Sequence, residues 1–365
     1  MHEFSEKFVN LQKLILNLLA MKVTKAQYQS PRGEVTVVEL TNASGASVKL
    51  SSVGAGILAI IVPDKEGKMH NVTLEYKNPA TDYFEDGPCL GKTPGRFANR
   101  IALGKFALDG VDYQLACNNG PNHLHGGPTG FQNQIWNTEV TADDAVRFTL
   151  KSPAGHEGYP GNLDVAVTYA WSEDNALTIH YEATTDSATP INLTNHTYFN
   201  LHGVEKANGL EHNLRIAASR WLPTNDSLAP TGELAPVAGT PMDFTETKLV
   251  GRDIKADFEA LRFGKGYDNC WVLDNPALDT VAAHLESPIS GIALDVYTDQ
   301  PGAQVYTGNW LDGCPAGVNG ETYKDYDGVA IECQGLPDSP NHDNFPCQIL
   351  RPGEVYDRTI VFKFS

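Results

Sequence analysis

The sequence predicts an all-β protein: a large sandwich of two antiparallel sheets, preceded by a short N-terminal helix. Three observations carry this reading. Short β-branched and aromatic runs recur along the chain, separated by Gly, Pro, Asn and Asp. Several adjacent runs are joined by turn sequences that specify hairpins. No long amphipathic helices alternate with them, which disfavours a parallel βαβ arrangement. The 365 residues include 33 glycines and 22 prolines, a supply that suits many tight turns.

Taken in order, Phe8, Leu11, Leu14, Ile15, Leu18 and Leu19 recur at helical spacing, with Asn10, Gln12, Lys13 and Asn17 between them. Glu3 and Glu6 at the start and Lys13 inside the run argue against a secretory signal. Residues 1–22 therefore read as an amphipathic extension, with Met21 as an alternative start, and 23–365 as one domain without repeats or linkers. Val35–Leu40, Val48–Ser52 and Ile57–Val62 read as strands. Lys105–Leu115 reads as a hairpin, because Asp109-Gly110 tolerates the positive φ of a type I′ turn. Trp136–Val140 and Val146–Leu150 flank Asp143-Asp144, and Leu163–Trp171 and Ala176–Thr184 flank Ser172–Asn175, as two more hairpins. Ile292–Tyr297, Val329–Glu332 and Val355–Phe364 complete the set.

Composition excludes some functions. Hydrophobic residues are 41% and charged residues 20%, ordinary for a globular protein. Lys and Arg number 27 against 45 Asp and Glu, a net charge of −18, which argues against a nucleic-acid backbone or an anionic membrane as partner. Cys89, Cys117, Cys270, Cys314, Cys333 and Cys347 form no C-x-x-C, so neither a zinc ribbon nor a dithiol site is supported, and a reduced, cytoplasmic protein is expected. No run approaches the roughly 20 apolar residues that span a bilayer.

Some motifs mislead. Gly54-Ala-Gly56-Ile-Leu-Ala59 matches a dinucleotide fingerprint, but a strand and Pro63 follow where a helix should start. His123-Leu-His125 spaces two imidazoles for one face of a strand, yet no third ligand lies nearby in sequence. Asn71-Val-Thr73 and Asn195-His-Thr197 match glycosylation sequons, which are frequent by chance.

Several segments are rich in polar groups and glycines where a sandwich core would not want them. They include Gly95-Arg-Phe-Ala-Asn-Arg-Ile101, Asn118–Gly127, Gly158–Gly161, Thr194–Leu201, Gly266–Trp271, Thr298–Asn309 and Val329–His342. Asn, Arg, Asp and Gln among Trp, Tyr and Phe suit a sugar, whose hydroxyls need polar partners and whose ring faces need apolar surface. His and Glu at such a site supply an acid and a base.

Read together and in order, these segments resemble the aldose 1-epimerase (galactose mutarotase) family from about Val35 to Phe364. The resemblance implies a β-supersandwich with an open sugar cleft and no metal or other cofactor. His196, in Asn195-His-Thr-Tyr-Phe-Asn200, falls on the family's general acid, and Glu332, in Ala330-Ile-Glu-Cys-Gln334, on its general base. Asn99, Arg100, His125, Tyr198, Asp268 and Gln300 fall on sugar-binding positions. Cys333 follows the base where Thr is more usual. Each residue also has a structural alternative. His196 would serve as a core histidine, Glu332 as a buried partner and Arg100 as a surface ion pair. Asp268 and Gln300 lie in good turn sequences.

The implied reaction interconverts the α and β anomers of free hexoses such as galactose and glucose. Glu332 takes the C1 hydroxyl proton while protonated His196 donates to the ring oxygen. The expected partner is a small aldose, and the expected assembly a monomer or homodimer. Three alternatives stand beside this reading. A hexose-6-phosphate epimerase would need a cationic pocket, for which Arg96 and Arg100 are the close basic pair. A non-catalytic carbohydrate-binding module would not need both His196 and Glu332. A glycoside hydrolase would want two facing carboxylates.

Overall fold

The computed structural model describes residues 21–84, 86–204 and 208–365. The helix expected within residues 1–22 falls almost wholly outside these, and Lys22 already opens a strand. One layer is a nine-stranded sheet in the order Asn137–Ala142, Ala145–Ser152, Leu163–Trp171, Ala176–Thr185, Tyr356–Phe364, Ala293–Thr298, Ala283–Glu286, Asn213–Ile216, Lys248–Leu249. Its paired strands are antiparallel.

A five-stranded and a six-stranded sheet form the facing layer. The first runs Lys22–Ser30, Gly33–Thr41, Ser47–Ser51, Gly56–Pro63, Met69–Asn71. The second runs Tyr198–Phe199, Val329–Gln334, Gly302–Tyr306, Asp268–Val272, Arg220–Trp221, Ala235–Pro236. The two join edge to edge. Val72 N–H donates to Ile60 O and Asn200 N–H donates to Val72 O, both at 2.9 Å, and Thr73 bridges Phe199. The expected two-sheet sandwich is present, with its second sheet interrupted at this seam.

One continuous core fills the space between the layers, with side chains from all three sheets. Phe199 of the six-stranded sheet meets Phe362 of the nine-stranded sheet edge to face at 5.1 Å. In Ala176–Thr185, Leu177, Ile179, Tyr181 and Ala183 are buried while Thr178, His180 and Glu182 are partly exposed, the pattern of a sheet wet on one side. The strand Val329–Gln334 is buried on both faces. Val329, Ile331 and Cys333 enter the main core, so by the period of two Ala330, Glu332 and Gln334 face the other way.

All three expected hairpins form. Asp109 (φ 51°) and Gly110 (φ 81°) make the turn of the first, as a type I′ geometry requires. Gly54–Ala59 leads into a strand rather than a helix. The strand Lys22–Ser30 was not apparent in the sequence. It is an edge strand with most residues exposed, so it lacks the apolar alternation that marks a strand.

Candidate active site

The outer face of the six-stranded sheet floors a cleft of about 890 Å³. Its walls come from the segments 81–84 and 86–88, the loops 95–101 and 118–125 and the segment after Tyr306. Two short strands clasp the middle wall together: Arg100 pairs with Leu124 and Ile101 with His123. His125 N–H donates to Asn99 O at 3.0 Å, and Asn99 N–H donates to His125 Nδ1 at 3.1 Å. His125 Nδ1 is therefore an acceptor, which leaves the proton of a neutral ring on Nε2. The next residue must be glycine. Gly126 has φ 79°, and a Cβ there would lie 1.8 Å from Gly95 O.

Arg100 Nε donates to Asn119 Oδ1 at 3.2 Å and Nη2 to Asp268 Oδ2 at 3.4 Å, while Asp268 Oδ1 accepts from Gln304 Nε2 at 2.7 Å. From behind, Asp338 N–H donates to Arg100 O and its Oδ1 accepts from Ala102 N–H, each at 2.9 Å. This is how the Pro-Asp-Ser-Pro-Asn341 stretch serves the cleft. Tyr198 presents its ring, because its hydroxyl is committed to Pro88 O at 2.8 Å.

Glu332 and His196 meet on the floor. His196 Nε2 lies 3.4 Å from Glu332 Oε1, and both side chains are almost fully buried. Glu332 Oε2 and His196 Nδ1 have no hydrogen-bond partner among the described residues. Such atoms are costly unless a ligand satisfies them. The His196 backbone is tied on both sides, its N–H donating to Lys92 O and its carbonyl accepting from Gly91 N–H, both at 2.9 Å. Rings of Tyr198 and Tyr306 pack against the imidazole at 5.0 and 6.1 Å.

Burial sets the protonation. It pushes the Glu332 carboxyl well above the usual range, helped by Asp268 and opposed by Arg100. It also lowers His196 to about 4, with Asp268 and Asp86 pulling the other way. His125 is held well below its ordinary value by burial and then by His196 and Arg100. Burial thus disfavours the charged form of each group.

Asn99, Arg100, His125, Tyr198, Asp268, His196 and Glu332 all line the cleft. Gln300 does not, which corrects the expectation for it. It is fully buried in the turn before its strand, where Nε2 donates to Leu193 O and Tyr356 Oη. Gln304 lies directly opposite Glu332 in the sheet and braces Asp268. The strand register alone distinguishes these two glutamines.

The pair His123/His125 does not converge on a metal. His123 Nδ1 bonds Ala116 O at 2.7 Å and Nε2 bonds Tyr159 Oη at 2.8 Å. His125, His196 and Glu332 do offer ligating atoms within 4.8 Å of one another, a set that metals also use. Arg96 points away from the cleft into the carbonyls of Ser152, Pro160 and Gly161. Asn195 is buried, its amide donating to Gly91 O, so that sequon is inaccessible. No helix among the described residues is long and apolar enough to cross a membrane.

Comparison with known proteins points the same way. The model of a family described as aldose 1-epimerase matches residues 36–363. A human galactose mutarotase is 41% identical over 345 residues, covering 94% of this chain and 98% of that protein. An aldose 1-epimerase of Escherichia coli (strain K12) is 38% identical, covering 90% and 94%. The crystal structure of a galactose 1-epimerase from Lactobacillus acidophilus superposes with a TM-score of 0.83 at 30% identity, covering 95% of this chain and 99% of that one.

Proposed function

Because the chain belongs to the aldose 1-epimerase family and, as an isomerase, interconverts the α and β anomers of free hexoses, we propose that Glu332 and His196 carry the proton transfers. The observation that carries this is the buried Glu332–His196 contact at 3.4 Å, with one unpartnered atom on each side chain.

Moving one proton from Glu332 to His196 gives the reactive carboxylate–imidazolium pair and leaves the net charge unchanged. Arg100 favours the resulting carboxylate. Glu332 then takes the C1 hydroxyl proton as His196 donates to the ring oxygen. The bond from C1 to the ring oxygen breaks and C1 becomes an aldehyde. After rotation about C1–C2, His196 takes the proton back as the ring closes, and Glu332 protonates the carbonyl oxygen. Each transfer returns the pair to a state it can reuse, so no metal or cofactor is required. Asn99, Arg100, His125 and Asp268 hold the hydroxyls, and Tyr198 faces the ring.

Six scattered cysteines without a C-x-x-C pair support a reducing, cytoplasmic setting. The protein acts as a monomer or homodimer, which sedimentation distinguishes. Polarimetry of fresh α-D-galactose and α-D-glucose tests the function. Glu332→Gln and His196→Asn each lower turnover by roughly 10²–10⁴-fold, the worth of one positioned acid or base. Sugar affinity changes far less, and the two losses are not additive. Near-normal mutarotation in both variants would overturn these roles, and sugar binding without any wild-type turnover would favour a binding module.

A further inference from the structure

Asn followed by Gly is the sequence at which a chain most readily attacks its own side chain, because a glycine without a Cβ lets its nitrogen reach the Asn Cγ. Three such pairs occur here: Asn119-Gly120, Asn208-Gly209 and Asn319-Gly320. The fold disarms two of them. Gly209 N–H donates to Tyr326 O at 2.6 Å and Gly320 N–H to Gly317 O at 2.8 Å, so neither nitrogen is free to attack. Their side-chain amides are tied as well, Asn208 Nδ2 donating to Glu211 Oε1 at 3.1 Å and Asn319 Nδ2 to Glu321 Oε1 at 2.8 Å.

Asn119, in the cleft wall, differs at each of the atoms that react. Neither Gly120 N–H nor Asn119 Nδ2 has a hydrogen-bond partner among the described residues. Gly120 is exposed, and the space where a Cβ would stand holds no atom within 4 Å, so water reaches it. Arg100 Nε donates to Asn119 Oδ1 at 3.2 Å, aiming a cation at the oxygen that becomes negative when the nitrogen adds.

We infer that Asn119 is a site of spontaneous deamidation, at which the chain installs a new carboxylate against Arg100 in the cleft. Hydroxide takes the Gly120 amide proton, the nitrogen bonds to Asn119 Cγ, and the Cγ–Nδ2 bond breaks. Nδ2 leaves as ammonia with a proton from water, which returns the hydroxide. Water then opens the succinimide at Cγ to give aspartate, or at the main-chain carbonyl to give isoaspartate. Either product offers Arg100 an ion pair in place of a bond to a neutral amide. Arg100 is thereby drawn from Asp268 and from the sugar hydroxyls, and isoaspartate also lengthens the 118–125 wall by one backbone atom. This consequence rests on the sugar-holding role proposed above for Arg100, whereas the deamidation itself does not.

The full-length protein is incubated in warm, mildly alkaline buffer and digested, and each Asn-Gly peptide is followed by mass, since replacing the amide NH₂ by OH adds about 1 Da. Isoaspartate is counted by enzymatic methylation. The Asn119 peptide converts roughly fivefold or more faster than the other two, the factor that one typical hydrogen bond supplies. In urea the three rates converge, because the lead comes from the fold. Mutarotation of galactose at low concentration falls in step with the converted fraction. Asn119→Asp raises KM for galactose roughly tenfold, the worth of a hydrogen bond to a charged group. Equal rates for the three peptides in the folded protein, or a lead that persists in urea, overturn the site. Conversion with no loss of mutarotation, in a protein whose fresh sample is active, overturns the effect on Arg100. An inactive fresh sample overturns the proposed function instead and leaves the deamidation standing.

Discussion

At the scale of single residues, the proposed mechanism has one carboxyl and one imidazole share a proton in a place where neither charge is welcome. The pair is competent only while it holds one proton, so the pH profile of kcat/KM is bell-shaped with limbs that belong to the pair. Burial lowers His196 to about 4, so the acid limb marks the second proton arriving on the imidazole. The alkaline limb marks loss of the last proton from Glu332, whose carboxyl is raised well above normal. In Glu332→Gln only His196 of the pair still titrates and its protonated form is the donor, so the residual activity loses the acid limb and falls as pH rises. The same shift has a stability consequence. A raised carboxyl costs nothing below the unfolded value of about 4.3 and costs progressively more as pH rises toward the folded value. Glu332→Gln should thus melt higher than wild type at pH 8 and equal it near pH 4, which calorimetry checks. His196 and Glu332 were legible in the sequence because their residue types fit the chemistry inside a polar segment. Gln304 was not, because Gln300 shares its parity and only the pairing with Glu332 singles it out.

At the scale of elements, the decisive pieces are the segments 83–84 and 86–92, which wall the cleft and carry His196 on their backbone. An ion pair between Lys92 and Asp86 closes the second, each side chain about 1% exposed. Lys92 Nζ also donates to Tyr83 O at 2.6 Å, and Asp86 accepts from Leu90 N–H at 2.8 Å. Removing one partner strands the other charge. Lys92→Met is expected to cost about 3–5 kcal/mol in urea unfolding and to lower turnover, since the carbonyl that receives His196 N–H moves with the loop. Lys92→Met combined with Asp86→Asn removes the stranded charge and should restore a large part of the stability. Nothing in the sequence marked this pair, because Asp86 and Lys92 look like ordinary surface charges until the loop folds over them. The strands were legible where one face is wet, as in Ala176–Thr185. They were illegible where both faces are polar, as in Lys22–Ser30.

At the scale of the whole molecule, the excess of acids over bases is readable from composition, but its placement is not. The cleft collects Asp82, Asp86, Asp268, Asp312 and Glu332 from segments far apart in sequence, and Arg100 is the one Lys or Arg among the described residues that line it. Arg100 is already engaged by Asp268, and Arg96, its neighbour in sequence, is buried elsewhere. A net charge of −18 adds a long-range field of the same sign. A sugar phosphate entering this cleft meets like charge without a cationic partner, a juxtaposition that costs several kcal/mol. Glucose 6-phosphate should therefore show kcat/KM roughly 10²-fold or more below glucose. Salt separates the field from simple misfit, because raising ionic strength shortens the Debye length from about 10 Å at 0.1 M to about 3 Å at 1 M. Between those limits the gap should narrow several-fold for the phosphate while the rate with neutral glucose stays constant. Equal turnover of both sugars at low salt would return the phosphate-sugar epimerase reading, and a gap indifferent to salt would assign the discrimination to shape rather than charge.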